Sequence, residues 1–134
     1  MKLERESRRM DYAREEYGIR WRELLSTTRE SETLGFDDIP WPVAAAQRQK
    51  RESGVPRRSI ITVDELTAEA ITAFLLPTGK EFEKEKRKEN LRESFLRFHP
   101  DKFEGRIMRF VKVGEREKVK DAISQVSRVL NSLL

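Results

Sequence analysis

Apolar side chains recur at steps of three and four residues in two well-separated parts of this chain, and that spacing suits helices and little else. Near the C-terminal end, Val119, Ile123, Val126, Leu130 and Leu133 step by 4, 3, 4 and 3, with Ala122 and Val129 flanking them. Near the N-terminal end, Met10, Ala13, Tyr17, Trp21 and Leu24 step by 3, 4, 4 and 3. An α-helix turns once in about 3.6 residues, so each set shares one face. The fold class expected is therefore all-α.

The remaining helices follow from start and stop signals. Residues 2–28 read as one long helix, broken by no proline. Residues 63–76 read as another, with Thr62 and Glu65 three residues later as a capping box and Pro77 and Gly79 as the stop. Residues 80–98 form a third, with Leu91, Phe95 and Phe98 on one face, Phe82 and Leu96 as further apolar positions, and Lys84, Lys86, Arg87, Lys88 and Arg92 on the other. Pro100 ends it, because the residue before a proline avoids helical geometry. Residues 115–134 are the fourth. Lys102 to Val113 is a connection, too apolar at Ile107, Met108, Phe110 and Val111 to run free in solvent.

Composition limits how much of this can share one core. Charged residues make up 39% of the chain and hydrophobic residues 37%, against usual shares of about 25% and about 45–50%. One modest core is affordable along part of the length. Residues 1–58 are expected to be a long helix and an extended docking segment, and residues 59–134 a small helical module.

The docking expectation rests on two features. Tyr17 and Trp21 head a narrow aromatic stripe on a charged helix, which suits a partner or the protein's own core. Phe36-Asp37-Asp38-Ile39-Pro40-Trp41-Pro42-Val43 is a stiff ribbon, since each proline fixes its own φ and extends its predecessor. Ile39 and Trp41 would project from it, as interface anchors or as a strap over the core. The stretch from Gln47 to Arg58 follows, with five Lys/Arg and one Glu, and reads as a basic linker able to serve as a nuclear-import signal.

Several function classes fall away. There is no cysteine and only one histidine, so no thiolate zinc site or histidine-built metal centre is expected. No Gly-rich phosphate loop, signal peptide or apolar run near the 20 residues of a membrane span is present. Catalytic residues, cofactors and metal are all expected to be none, and the chain reads as non-enzymatic.

The sharpest local pattern is Phe98-His99-Pro100-Asp101-Lys102-Phe103. A basic amphipathic helix, then His-Pro-Asp, then a packed helix resembles helices two and three of a J-domain. There the tripeptide contacts a DnaK-type chaperone and stimulates its ATPase. The helix before it, Val63 to Leu76, lacks the Tyr-x-x-Leu-Gly signature usual in a J-domain's first helix, and His99 and Asp101 could instead simply cap and staple two helices.

A wider resemblance runs from about Tyr12 to the end. "FDDIPWPV", "LRESFLRFHPDKFEGR" and "VSRVLNSLL" are together similar to the C-terminal region of the NF-kappa-B inhibitor-like proteins, especially the fungal forms. The resemblance implies a nuclear protein, with links to restraint of NF-kappa-B signalling and to pre-mRNA splicing. The ankyrin repeats of the animal members have no counterpart here. The partner-binding residues expected are His99, Pro100, Asp101, Lys102, Arg97, Arg92, Ile39, Trp41, Tyr17 and Trp21, with Arg106 and Arg109 adding charge. The partners implied are proteins of a nuclear complex, with a DnaK-type chaperone or RNA phosphates as further candidates, and no membrane.

Overall fold

The computed structural model describes residues 2–27, 29, 31–47, 61–76 and 84–134. Its helices are α1 (Lys2–Ser26), α2 (Ala68–Leu75), α3 (Lys84–Arg97), α4 (Pro100–Arg106) and α5 (Arg116–Leu133), with short 3₁₀ turns between them. The fold is all-α. Among the described residues the extended backbone forms one isolated parallel bridge, Leu34 with Val111. No described helix is long and apolar enough to cross a membrane.

α1 forms where the 3–4 spacing places it. Ala13, Tyr17, Trp21 and Leu24 are buried on one face with Met10 packed beside them, while Asp11, Glu15, Arg22 and Glu23 face water. Its last carbonyls are capped from just downstream: Thr27 Oγ1 donates to Glu23 O at 2.6 Å and Arg29 Nη1 to Leu24 O at 2.7 Å. α5 buries Val119, Ala122, Ile123, Val126, Val129 and Leu130 along its predicted stripe.

Two boundaries differ from expectation. The helix predicted over 63–76 is a 3₁₀ turn at Val63–Glu65 followed by α2, and the cap is Thr67, whose hydroxyl accepts from Ala70 N–H at 3.1 Å. Thr62 makes no side-chain cap. At Leu66 the backbone leaves helical geometry (φ −84°, ψ 61°), the side chain is fully buried, and the carbonyl accepts from Gln125 Nε2 at 3.1 Å. The predicted stop at Pro77 and Gly79, and Phe82, lie outside the described residues. The connection between the last two helices is itself largely helical: α4, then 3₁₀ turns at Met108–Phe110 and Val113–Glu115. Ile107, Met108 and Val111 are buried there, which is why it packs.

The ribbon at residues 34–47 is a strap across the core, the second of the two alternatives the sequence left open, and Ile39 and Trp41 do not project from it. Leu34, Phe36, Ile39, Trp41, Val43 and Ala46 are all buried. The strap is pinned at its start by Leu34 N–H to Phe110 O (2.9 Å) and Lys112 N–H to Leu34 O (2.8 Å). At Gly35 an added Cβ would lie 2.7 Å from Glu115 Oε2, so any larger residue would displace that side chain. At its far end the buried Gln47 donates to the Trp41 and Val43 carbonyls, and Arg20 of α1 reaches across to Ala46 O (2.8 Å) and Gln47 Oε1 (2.9 Å). These bonds satisfy backbone that has no ladder or helix of its own. The division expected between residues 58 and 59 falls outside the described residues, and side chains from both sides of it enter the same core.

The seat of Trp41 sets the first prediction. Trp41→Ala is expected to lower the unfolding free energy by about 3–5 kcal/mol, measured by urea denaturation followed by circular dichroism. A loss below about 1 kcal/mol, the scale of an ordinary surface change, would mean that Trp41 is not packed where it is described.

Candidate functional site

His-Pro-Asp begins a helix here; it does not sit on a free turn. His99 is the N-cap residue of α4, with extended backbone, and its carbonyl accepts from Phe103 N–H at 2.9 Å. Pro100 takes the first helical position, where its missing N–H costs nothing and its fixed φ suits the helix. Asp101 stands in the first turn, at the positive end of the helix. Pro100, Asp101 and Lys102 are exposed. His99 is half-buried, with its ring edge-on to Phe95 at 5.8 Å and its Nδ1 buried with no hydrogen-bond partner. The tripeptide thus offers Pro100 and Asp101 to a partner more readily than His99.

The aromatic residues expected to dock are inside the molecule. Trp21 packs edge-on against Phe98 at 5.1 Å, and Trp41 stacks between Phe98 (5.8 Å) and Phe36 (4.9 Å). Both indole N–H groups are satisfied internally, Trp21 to Pro40 O and Trp41 to Phe36 O, each at 2.9 Å. Ile39 is fully buried beside them, and Tyr17 packs edge-on against Phe74 at 5.3 Å. These four residues form the protein's own core and are unavailable to a partner in this fold. The aromatic stripe and the ribbon complete each other, so neither needs an outside surface.

Arg97 is corrected in the same way. Its side chain is only 14% exposed, pairs with Glu93 at 2.9 Å, and lies over the rings of Tyr17 (5.3 Å) and Trp21 (5.8 Å). It holds α3 to α1 and does not greet a partner. Arg92, Lys102, Arg106 and Arg109 are exposed as expected. Among the described residues none of these four has a carboxylate in ion-pair range. The basic stretch beyond Gln47 lies outside the described residues, as does the side chain of Lys84. No group of three or more His, Asp or Glu among the described residues is placed to hold a metal ion.

Sequence reasoning passed over the polar side chains that close helix ends and tie segments together. Arg14 Nε donates to Phe74 O at 2.7 Å, and Asn90 Nδ2 to Leu75 O at 3.3 Å, together capping the end of α2. Arg116 Nε donates to Val111 O (3.0 Å) while its Nη2 pairs with Glu32 (2.9 Å). Each is an ordinary surface-type residue in sequence, and only its distance from a distant carbonyl reveals its part.

Residues 69–134 match the family described as NF-kappa-B inhibitor-like protein 1 C-terminal domain. Over that stretch the chain is similar to the NF-kappa-B inhibitor-like family. No curated protein and no solved structure matches it. The NF-kappa-B inhibitor-like match begins inside α2 and takes in α3, α4 and α5, with the His-Pro-Asp helix start at its middle. α1 and the strap precede it and supply Tyr17, Trp21 and Trp41 as its cover.

That cover has a pH signature. Burial raises the Tyr17 hydroxyl pKa above its usual value of 10.0, and the Arg97 charge and the Ser94 hydroxyl at 2.9 Å offset only part of the rise. The unfolded chain therefore loses this proton first as pH climbs. Tyr17 contributes stability that is complete below pH 10 and is lost above it. The melting temperature should fall above pH 10, and Tyr17→Phe should flatten that fall while costing about 1 kcal/mol at neutral pH through the lost hydrogen bond. Thermal scans of both proteins from neutral to alkaline pH check this; parallel slopes would show that Tyr17 is not buried as described.

Proposed function

We propose that this protein is a non-enzymatic interaction protein of the nucleus, acting within pre-mRNA splicing complexes. The observation that carries the reading is the division of its side chains. Tyr17, both tryptophans and Phe36, Phe74, Phe98 and Phe103 are consumed by the core, while Arg92, Lys102, Arg106 and Arg109 stand exposed on a helical frame with no carboxylate in ion-pair range among the described residues. Such cations meet acidic protein surfaces or phosphate oxygens. With the large rings buried, RNA bases have little to stack on, so base readout plays no part. Similarity to the NF-kappa-B inhibitor-like family supports a regulatory partner-binding role, and regulation of the NF-kappa-B type is the other role that family suggests.

The co-chaperone reading has one observation in its favour, the exposure of Pro100 and Asp101 at the start of α4. The half-burial of His99 against Phe95 weighs against it.

Tagged protein recovered from nuclei is expected to bring spliceosomal RNAs with it. An Arg92→Glu, Lys102→Glu pair is expected to cut that recovery several-fold with helicity unchanged. Recovery of those RNAs that does not depend on the tagged protein, or equal recovery with the pair, overturns the splicing reading. In parallel, ATP turnover by a DnaK-type chaperone is expected to be the same with and without the protein. Stimulation that Asp101→Asn abolishes would establish the co-chaperone role in its place.

A further inference from the structure

A groove of about 380 Å³ runs between the C-terminal end of α1 and the segment formed by α4 and the turn after it. Leu25, Ile107 and Phe110 give it apolar walls, and Arg29, Arg106 and Arg109 also line it. Leu25 is 49% exposed, Phe110 is half-buried, and Ile107 is buried behind them. One exposed leucine is ordinary on a protein surface; one that faces a phenylalanine across a groove, among three arginines, is a different matter.

The charge of this groove is one-sided. Among the described residues no carboxylate lines it, and none lies in ion-pair range of Arg29, Arg106 or Arg109. The nearby Glu104 points its carboxylate to Lys120, 3.9 Å away. The C-terminal end of α1 would itself repel an anion, being the negative pole of the helix. Arg29 offsets this by donating Nη1 to Leu24 O at 2.7 Å and Thr27 O at 3.1 Å. Arg106 and Arg109 are left to face a ligand.

We propose that this groove docks a short acidic segment of a partner protein, which seats one large apolar side chain between Leu25 and Phe110 and places flanking carboxylates on Arg106 and Arg109. The proposal deepens the reading of the chain as an interaction protein by naming the chemistry of what it binds. Guanidinium forks take carboxylates in pairs of parallel hydrogen bonds, which sets orientation as well as charge. The apolar walls favour a peptide over a nucleic acid. The Phe110 ring, the one aromatic ring among the described residues of the groove, already carries the Arg109 guanidinium 4.8 Å from its centroid, so a base gains no open platform.

The test uses the full chain and a fluorescein-labelled peptide, Asp-Glu-Asp-Leu-Phe-Asp-Glu-Asp, followed by fluorescence anisotropy. A peptide with Ser-Ser in place of Leu-Phe and a labelled oligouridylate are the comparators. Binding of the Leu-Phe peptide should exceed that of the Ser-Ser peptide and weaken as salt is raised. An Arg106→Glu, Arg109→Glu pair should weaken it about tenfold or more. Gly105 lines the groove and has nothing within 4 Å of an added Cβ, so Gly105→Gln should obstruct the groove and weaken binding several-fold without unfolding the helix. Circular dichroism of each variant checks that the fold is kept. No binding, equal binding of the two peptides, or wild-type binding by either variant overturns the proposal. Oligouridylate binding that the Arg pair abolishes, with the peptide unaffected, would make this a phosphate surface and also overturn it. Peptide binding by the wild type that the Arg106→Glu, Arg109→Glu pair loses, with recovery of spliceosomal RNAs by that pair unchanged, would uphold the groove and separate it from the splicing role.

Discussion

Phe98 is the residue on which the rest of the arrangement leans. Its ring meets Trp21 of α1 edge-on and stacks beneath Trp41 of the strap, while its backbone is the last step before the His-Pro-Asp start of α4. Three segments distant in sequence therefore converge on one side chain. Aromatic pairs of this kind add roughly 0.5–1.5 kcal/mol each beyond the apolar area they bury. The larger consequence is geometric. With Phe98 fixed, α3 and α4 leave the core at a set angle, and Asp101 and Lys102 are presented in one orientation.

A chain with this much charge folds because many of its cations and amides bond inward to backbone. Arg14 and Asn90 close the end of α2, Arg20 and Gln47 close the end of the strap, and Arg116 holds the carbonyl of Val111. Irregular segments and helix ends leave carbonyls without partners, and an unpartnered buried polar group costs on the order of 1–3 kcal/mol. Long side chains that lay their stems on the core and their heads on those carbonyls meet that demand. His99 Nδ1 stands apart as a buried nitrogen with no partner, at the one helix start whose residues also resemble a chaperone-binding motif.

The same logic separates inward from outward cations. Arg97 is spent on Tyr17, Trp21 and Glu93, so it stabilises the domain and offers little to solvent. Arg92, Lys102, Arg106 and Arg109 keep their charge at the surface. Their positions follow from α3, α4 and the turn after α4, which is the part of the chain that carries the NF-kappa-B inhibitor-like match. These charges stand on a framework held by an aromatic core that α1 and the strap complete.

The all-α class, the faces of α1 and α5, and the packing of the segment at 107–111 were legible in the sequence, because helical periodicity is a local property that neighbouring residues express by themselves. The His-Pro-Asp start of α4 was visible as a pattern for the same reason. What lay beyond reach was every choice between two surfaces. Tyr17, Trp21, Ile39 and Trp41 could anchor a partner or fill a core with equal local chemistry, and only the meeting of α1 with the strap over Phe98 decided for the core. Arg97 and Arg92 sit five residues apart on one helix, and nothing local tells which faces Tyr17. The break at Leu66 and the groove beside Leu25 depend likewise on contacts across 59 to 85 positions of chain, as with Gln125 and Leu66. Sequence determined where helices could form; the tertiary structure decided which of their side chains remain for others, since burial is settled only when distant segments compete for the same water-free space.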